Sequence, residues 1–308
     1  MPETTFDSIL VVFNPSSGVP GNEGEQLLYL LKELQNLNFL ANVFFIQPNC
    51  DLRGAIQSSL DQGVHYFVAC GGDGTIDSVA SILANPSTKL IKDSPLPILA
   101  IIPTGTQNNI ALSLGIPTEI QEAASLLRKG KILQIDMGVI NCGGVERIFM
   151  EACSIGLLSA LFPAADDIQH GNLPRVGEFL GTLIAFPLSE IHIKVDDQPE
   201  TTNRGHVVLI SNLTYIGPHV AIPSASAVDD GLLDVLVFND LTKLDILSYA
   251  ALASGTLPDQ ANIQHYHMRK IEVTTEPAMP VLADGFELGE TPLSVEVLPK
   301  SLSIFVKS

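Results

Sequence analysis

Positive charge is what this sequence is short of. Its 308 residues include 16 Lys and Arg against 34 Asp and Glu, a net charge of −18. No basic cluster stands out, which argues against a nucleic-acid partner and against strong attraction to an anionic membrane surface. Any transient membrane contact would rest on apolar side chains or a locally positive face. Residues 1–133 carry a net −5 and residues 134–308 a net −13. No apolar run reaches the roughly 18–20 residues of a membrane span. Met1–Asp7 is acidic and lacks a signal-peptide pattern, so a cytoplasmic location is expected, peripheral to the inner face of the membrane if a membrane is visited. Four cysteines (Cys50, Cys70, Cys142 and Cys153) form no Cys-x-x-Cys pair and read as reduced, buried thiols. The seven histidines show no metal-ligand spacing. His265 and His267 would share one face of a strand and, with no third ligand nearby in sequence, read as a solvated pair. Asp166-Asp167 reads as a solvated loop.

Apolar residues make up 46% of the chain and charged ones 16%, the balance of a globular protein. The first part alternates strand and helix patterns: Ile9–Phe13, then Leu27, Leu30, Leu31, Leu34 and Leu37 at helical spacing, then Val43–Ile46. Asp51 can cap a helix that stops at Gly63, and Thr118 to Gln121 matches a capping box. Such alternation predicts a Rossmann-like parallel α/β domain. Near Leu133 short β-rich runs take over, with two helical stretches at about 177–188 and 241–254. The fold class expected is α/β plus all-β: an N-terminal α/β domain over 1–133, rejoined by a strand at 299–308, and a C-terminal β-sandwich over 134–298.

Gly71-Gly72-Asp73-Gly74-Thr75 carries the strongest chemical signal. It falls between a strand pattern and a helix pattern, where free backbone N–H groups collect at a helix N-terminus and suit phosphate. Glycine lets the main chain approach with no Cβ in the way. The lone carboxylate, Asp73, would repel a bare phosphate, so the loop reads as a site for a nucleotide with Mg2+. An ordinary turn is the bland alternative. No Gly-Lys-Ser/Thr follows, and a third spaced glycine is missing, so neither the P-loop nor the dinucleotide fingerprint applies.

The whole motif set resembles the bacterial diacylglycerol-kinase-like lipid kinase family, related to the sphingosine and ceramide kinases. Asn14-Pro15-Ser16-Ser17-Gly18, Gly71–Thr75, Pro103-Thr104-Gly105-Thr106-Gln107-Asn108, Ile135-Asp136-Met137-Gly138, Asp229-Asp230-Gly231 and Asp284-Gly285 with Thr291-Pro292 occur in the family's order along nearly the full length. The resemblance implies an active site between two domains and nucleotide contacts from Asn14, Ser16, Gly71, Gly72, Asp73, Gly74, Thr75, Thr106 and Asn108. Gln47, at the end of the second strand, matches a nucleotide contact by position only. Thr106 and Asn108 can equally be plain helix caps. Asp73 is expected to organise Mg2+ and the transferred phosphate.

The family's base is a Glu directly after the late Asp-Gly. Here Phe286 holds that place and Glu287 comes one residue later, which turns a strand side chain to the other face unless a bulge restores it. Asp284 would otherwise have to serve. Ile76-Asp77-Ser78, Asn109, and Val19-Pro20 also depart from the family pattern, suggesting a divergent subgroup with altered substrate or reduced activity. By resemblance, Asp230 would give a carboxylate, and Ala227 and Leu232 carbonyls, to a structural Mg2+; a metal-free Asp-Gly turn is the equal alternative. Phe179, Leu183 and Phe186 match the lipid entrance, or simply pack on the sandwich. The expectation is an enzyme using ATP and Mg2+ to phosphorylate a lipid hydroxyl, diacylglycerol by default, with a homodimer admitted. A kinase of a soluble acceptor, as in NAD kinases, and a non-catalytic protein keeping the fold are the alternatives.

Overall fold

The computed structural model describes residues 6–18, 21–88, 90, 95–169, 172–216, 220–222, 227–251 and 262–308. Val19-Pro20 and the last part of the expected 241–254 helix lie outside these residues. Contacts divide the chain into two compact units, one of residues 1–135 and 300–308, the other of 136–299.

In the first unit, β1 (Asp7–Phe13), α1 (Glu23–Asn36), β2 (Phe39–Phe45), α2 (Leu52–Asp61), β3 (Tyr66–Gly71), α3 (Asp73–Leu83), β4 (Ile98–Pro103), α4 (Asn109–Ser113) and α5 (Ile120–Lys129) follow in order. β1 is central because Ile9–Phe13 is apolar on both faces and wholly buried. It pairs in parallel with β2 and β3, with Val11 opposite Val43 and Val68. β4 pairs in parallel with β3. The strand order β4-β3-β1-β2 therefore reverses at β1: the chain steps out to β2, then returns to the other side. Leu30 and Leu34 of α1 are fully buried, and each contributes about 1.5–3 kcal/mol by leaving water. Asp51 caps α2 by accepting the Gly54 N–H at 2.8 Å. The capping box at Thr118 does not form. The helix starts at Ile120 with Glu119 as its uncapped flank, which puts Thr118 one residue too early to accept the first amides.

The second unit contains β5 (Lys131–Cys142, beginning in the first unit), β6 (Val145–Phe149), β7 (Ala152–Gly156), α6 (Leu157–Gln169), α7 (Val176–Ala185), β8 (Ser189–Val195), β9 (Thr201–Ser211), β10 (Tyr215–Ile216), β11 (Val220–Ala221), β12 (Leu233–Asn239), α8 (Lys243–Ala251), β13 (Ile263–Met268), β14 (Lys270–Glu276), β15 (Pro280–Ala283), β16 (Phe286–Glu290) and β17 (Leu293–Val306, ending in the first unit). Alternate residues of β7, β8, β9, β12, β14 and β15 point into one core. β9 and β12 bury their other face too, where Leu209, Leu236 and Phe238 meet Leu157 and Leu161 of α6, Leu183 of α7 and Ile246 of α8. α6 corrects the expected loop at Asp166-Asp167: both residues are helical, and Asp167 accepts from Arg175 Nε at 2.8 Å. Pro163 inside the helix hides it from a breaker-based reading. Cys70, Cys142 and Cys153 are buried, and all four thiols are free. Burial pushes the Cys70 thiol up to about 12, so it stays protonated and unreactive.

His206 on β9 is 8% exposed and donates from Nδ1 to the Pro187 carbonyl at 2.9 Å. Burial, aided by Lys243, holds its pKa below the ordinary value, against the opposing pull of the Pro187 carbonyl. The unfolded chain takes up this proton near pH 6.5, the folded chain only at lower pH. Its contribution is therefore intact above that point and fades as pH falls toward the lower folded value. Thermal melts at about pH 7.5 and 5.5 should show a smaller pH-induced loss for His206→Asn than for the unaltered protein.

Candidate functional site

Three loops of the first unit meet at the carboxyl ends of β1, β3 and β4, beside the order reversal where open α/β sheets take ligands. Main-chain bonds continue the sheet into the loops: Asn14 N–H to Cys70 O and Thr104 N–H to Gly71 O, both 3.0 Å. Asn14 Nδ2 donates to Thr75 Oγ1 at 2.9 Å, and its Oδ1 accepts the Ser16 N–H at 3.0 Å. The Ser17 and Thr104 hydroxyls are 3.0 Å apart. A Cβ added to Gly105 would lie 2.4 Å from Gly72 Cα, and one on Gly18 2.7 Å from Thr104 O. Only glycine permits these approaches.

α3 begins at Asp73 with Gly72 as its flank and no side-chain cap. Around Gly74 a Cβ would meet nothing within 4 Å. The Thr75 N–H of the first turn bonds back to Gly72 O at 2.9 Å, and Gly72 to Gly74 stand at the positive end of the helix. Asp73 accepts the Asn109 N–H at 3.1 Å on one oxygen and the Ile110 N–H at 3.0 Å on the other. It thus caps α4 while sitting in the glycine loop. Asn108 takes left-handed backbone, φ 55°, and its amide exchanges two 2.9 Å bonds with the Gly105 main chain. Its side chain holds the loop in shape. Ser16 and Thr106 are exposed on the loops, Gly74 is exposed in the first turn of α3, and Gln47 is exposed beyond the end of β2. Ser17, Thr104 and Gly105 complete the cradle without having been picked as contacts; the small residues at fixed places in their loops were the available signal.

In the second unit Asp284 and Gly285 form the turn between β15 and β16, with φ of 43° and 81°. Both Asp284 oxygens are engaged: Met150 N–H at 2.6 Å, Glu151 N–H at 3.0 and 3.1 Å, Ala152 N–H at 2.8 Å. The carboxylate is a brace across three consecutive amides, a role unlike that of a mobile base. Phe286 pairs with Ala283 and Glu287 with Leu282. The β15–β16 ladder does carry a bulge, but it lies beyond Glu287, with Leu288 the extra residue. It leaves Glu287 and Phe286 on opposite faces, so the direction of Glu287 is not restored. Phe286 lies under the Arg147 guanidinium, 3.5 Å from ring centre to carbon, a contact worth about 0.5–1 kcal/mol in the open. No pattern in the sequence signals Arg147.

Asp230 accepts the Ala227 N–H at 2.9 Å and the Leu232 N–H at 3.0 Å, so the turn closes on its own amides. Asp136, fully buried, accepts the Gly231 N–H at 2.6 Å from behind. Leu183 is buried in the helical cluster, with Phe179 and Phe186 packed against it. On the same helix, Leu180 and Ile184 are 48% and 77% exposed. His265 and His267 are exposed, as a solvated pair would be, and strand pairing also brings both to the buried carboxylate of Asp234.

Loss of the Asp284 brace tests its role. Asp284→Asn keeps a residue suited to left-handed backbone but weakens charge-assisted bonds, and should cost about 1–3 kcal/mol in urea unfolding. An unchanged midpoint would remove the brace.

Residues 8–140 match the diacylglycerol kinase catalytic domain, and residues 163–306 match the YegS C-terminal NAD kinase beta sandwich-like domain. An uncharacterised protein of Synechocystis is 29% identical over 317 residues, covering 96% of this chain and 69% of its own length. A diacylglycerol kinase of Staphylococcus saprophyticus is 22% identical over 299 residues, 96% of this chain and 94% of its own. The crystal structure of a diacylglycerol kinase from Bacillus anthracis superposes with a TM-score of 0.74 at 23% identity, covering 98% of this chain and 97% of that one, a likeness of fold. With both domains matched in order, the chain belongs to the diacylglycerol-kinase-like lipid kinase family.

Proposed function

We propose that this protein is an ATP-dependent lipid kinase that passes the γ-phosphate of ATP to a lipid hydroxyl, with diacylglycerol the default acceptor. The observation that carries this reading is the uncapped N-terminus of α3, opening into a glycine cradle beside Asp73. The donor set fits a triphosphate: a helix N-terminus at Gly72–Gly74, open space around Gly74, and one carboxylate for a divalent ion. Mg-ATP, when bound, supplies the activated phosphoryl group and the positive charge that offsets its oxygens. The residues of the chain orient the triphosphate and keep the loops at fixed spacing. Asn14 and Asn108 do this indirectly, since their amides are spent on Thr75, Ser16 and Gly105. Phosphoryl transfer asks mostly for position and charge neutralisation, so a brace at Asp284 is compatible with turnover. Leu180 and Ile184 give a membrane-visiting enzyme an apolar contact that its net charge of −18 cannot supply electrostatically.

Labelled ATP with a lipid extract, set against NAD as acceptor, tests the reading. Label is expected in a lipid product; label only in a soluble product would end it. Because Asp73 also caps α4, Asp73→Asn is the cleaner probe than Ala: it keeps an oxygen for one amide. Turnover should fall about 10²–10³-fold when assayed well below the melting temperature, which should itself drop because one of the two amides loses its acceptor. Equal turnover would take Asp73 out of the mechanism.

Phe286 under Arg147 favours one second reading, a protein that binds nucleotide or lipid without efficient turnover. Under it, Phe286→Glu raises turnover from a low base. If the parent phosphorylates lipid well and Phe286→Glu does not improve it, this second reading is lost.

A further inference from the structure

We infer that Asp234, His265 and His267 form a binding site for a divalent transition-metal ion such as Zn2+, separate from the nucleotide loops. β12 and β13 pair antiparallel with Asp234 opposite His267 and Leu236 opposite His265. All three side chains share one face. His265 Nε2 lies 2.8 Å and His267 Nδ1 2.9 Å from the same oxygen, Asp234 Oδ1. The three ligand atoms lie within 4.8 Å of one another, and the ring centroids are 4.7 Å apart. In a tetrahedral site with bonds of about 2.0–2.1 Å, ligand atoms stand about 3.3 Å apart. The two nitrogen–oxygen distances therefore have to open by about half an ångström to admit an ion.

Burial gives the site its direction. The Asp234 side chain is 5% exposed, whereas the imidazoles are 28% and 37% exposed. The carboxylate forms the floor, and the rings form a rim that leaves remaining coordination positions to water. Two imidazoles and one carboxylate suit Zn2+, Co2+ or Ni2+ rather than Mg2+, which prefers oxygen. Among the described residues no other group of three or more His, Cys, Asp or Glu stands this close. β13 pairs only with β12 among the described strands, so a bound ion would pin this edge strand to the sheet at two of its six residues.

The test uses full-length protein with no histidine tag, stripped with chelator and titrated with ZnCl2 by calorimetry. The expected result is one saturable site, a raised melting temperature, and no competition from millimolar Mg2+. His265→Gln and His267→Gln should each weaken binding about tenfold or more, and the double variant should abolish it. Co2+ should give a visible absorption band lost in the same variants. Circular dichroism in the absence of metal confirms that the variants are folded; both rings lie at the rim, so their replacement leaves the core intact. Absence of Zn2+ binding to the parent, or equal binding by the double variant, overturns the site. Mg-ATP binding is read separately, so failure here leaves the kinase reading standing.

Discussion

The first unit depends on a close approach of two backbones. Gly72 and Gly105 sit so near that a methyl on Gly105 would force them apart, while one on Gly72 would fit only tightly. Asp73 secures the approach from one side by capping α4, and Asn108 secures it from the other by bonding Gly105 in both directions. Side chains that look like ligand contacts are thus first of all fasteners. They hold amides at fixed positions before any ligand arrives, the preorganisation on which electrostatic binding depends. The arrangement also explains why a helix of five residues can persist: its N–H groups are satisfied by a carboxylate from elsewhere.

The second unit applies the same economy to its β15–β16 turn. Asp284 is placed in left-handed backbone and gathers three successive amides of the β6–β7 connection. A family signature read as chemistry is, in this chain, also architecture. The carboxylate that resemblance places next to it is replaced by Phe286, whose ring is covered by Arg147. The local change is from anion to a cation–aromatic pair.

Much of the fold was legible because its signals are local. Ile9–Phe13, the spaced leucines of α1, Asp51 and the glycine loop each declare themselves within a few residues. α6 was not legible, because Pro163 and the acidic pair imitate a loop, while burial of Leu157 and Leu161 against β9 and β12 overrides them. The Asp234 cluster was invisible for a different reason: its members are about thirty residues apart and meet only through strand register. The faces of α7 were not legible either. Leu183 belongs to the packed side and Ile184 to the open one, and both are aliphatic. The bulge near Glu287 was foreseeable as a type of feature but not in its placement, which depends on how Val281 pairs with Gly289.

The chain passes between its units twice, at residues 135–136 and again at 299–300. Ser303 and Ile304 of β17 pair with Ile98 and Leu99 of β4. During synthesis, then, the first unit waits for residues 300–308 to emerge, with one flank of β4 unpaired and open to wrong partners until they do. A product lacking residues 300–308 would lose far more than their number suggests, since the missing piece is a structural member of the half made first.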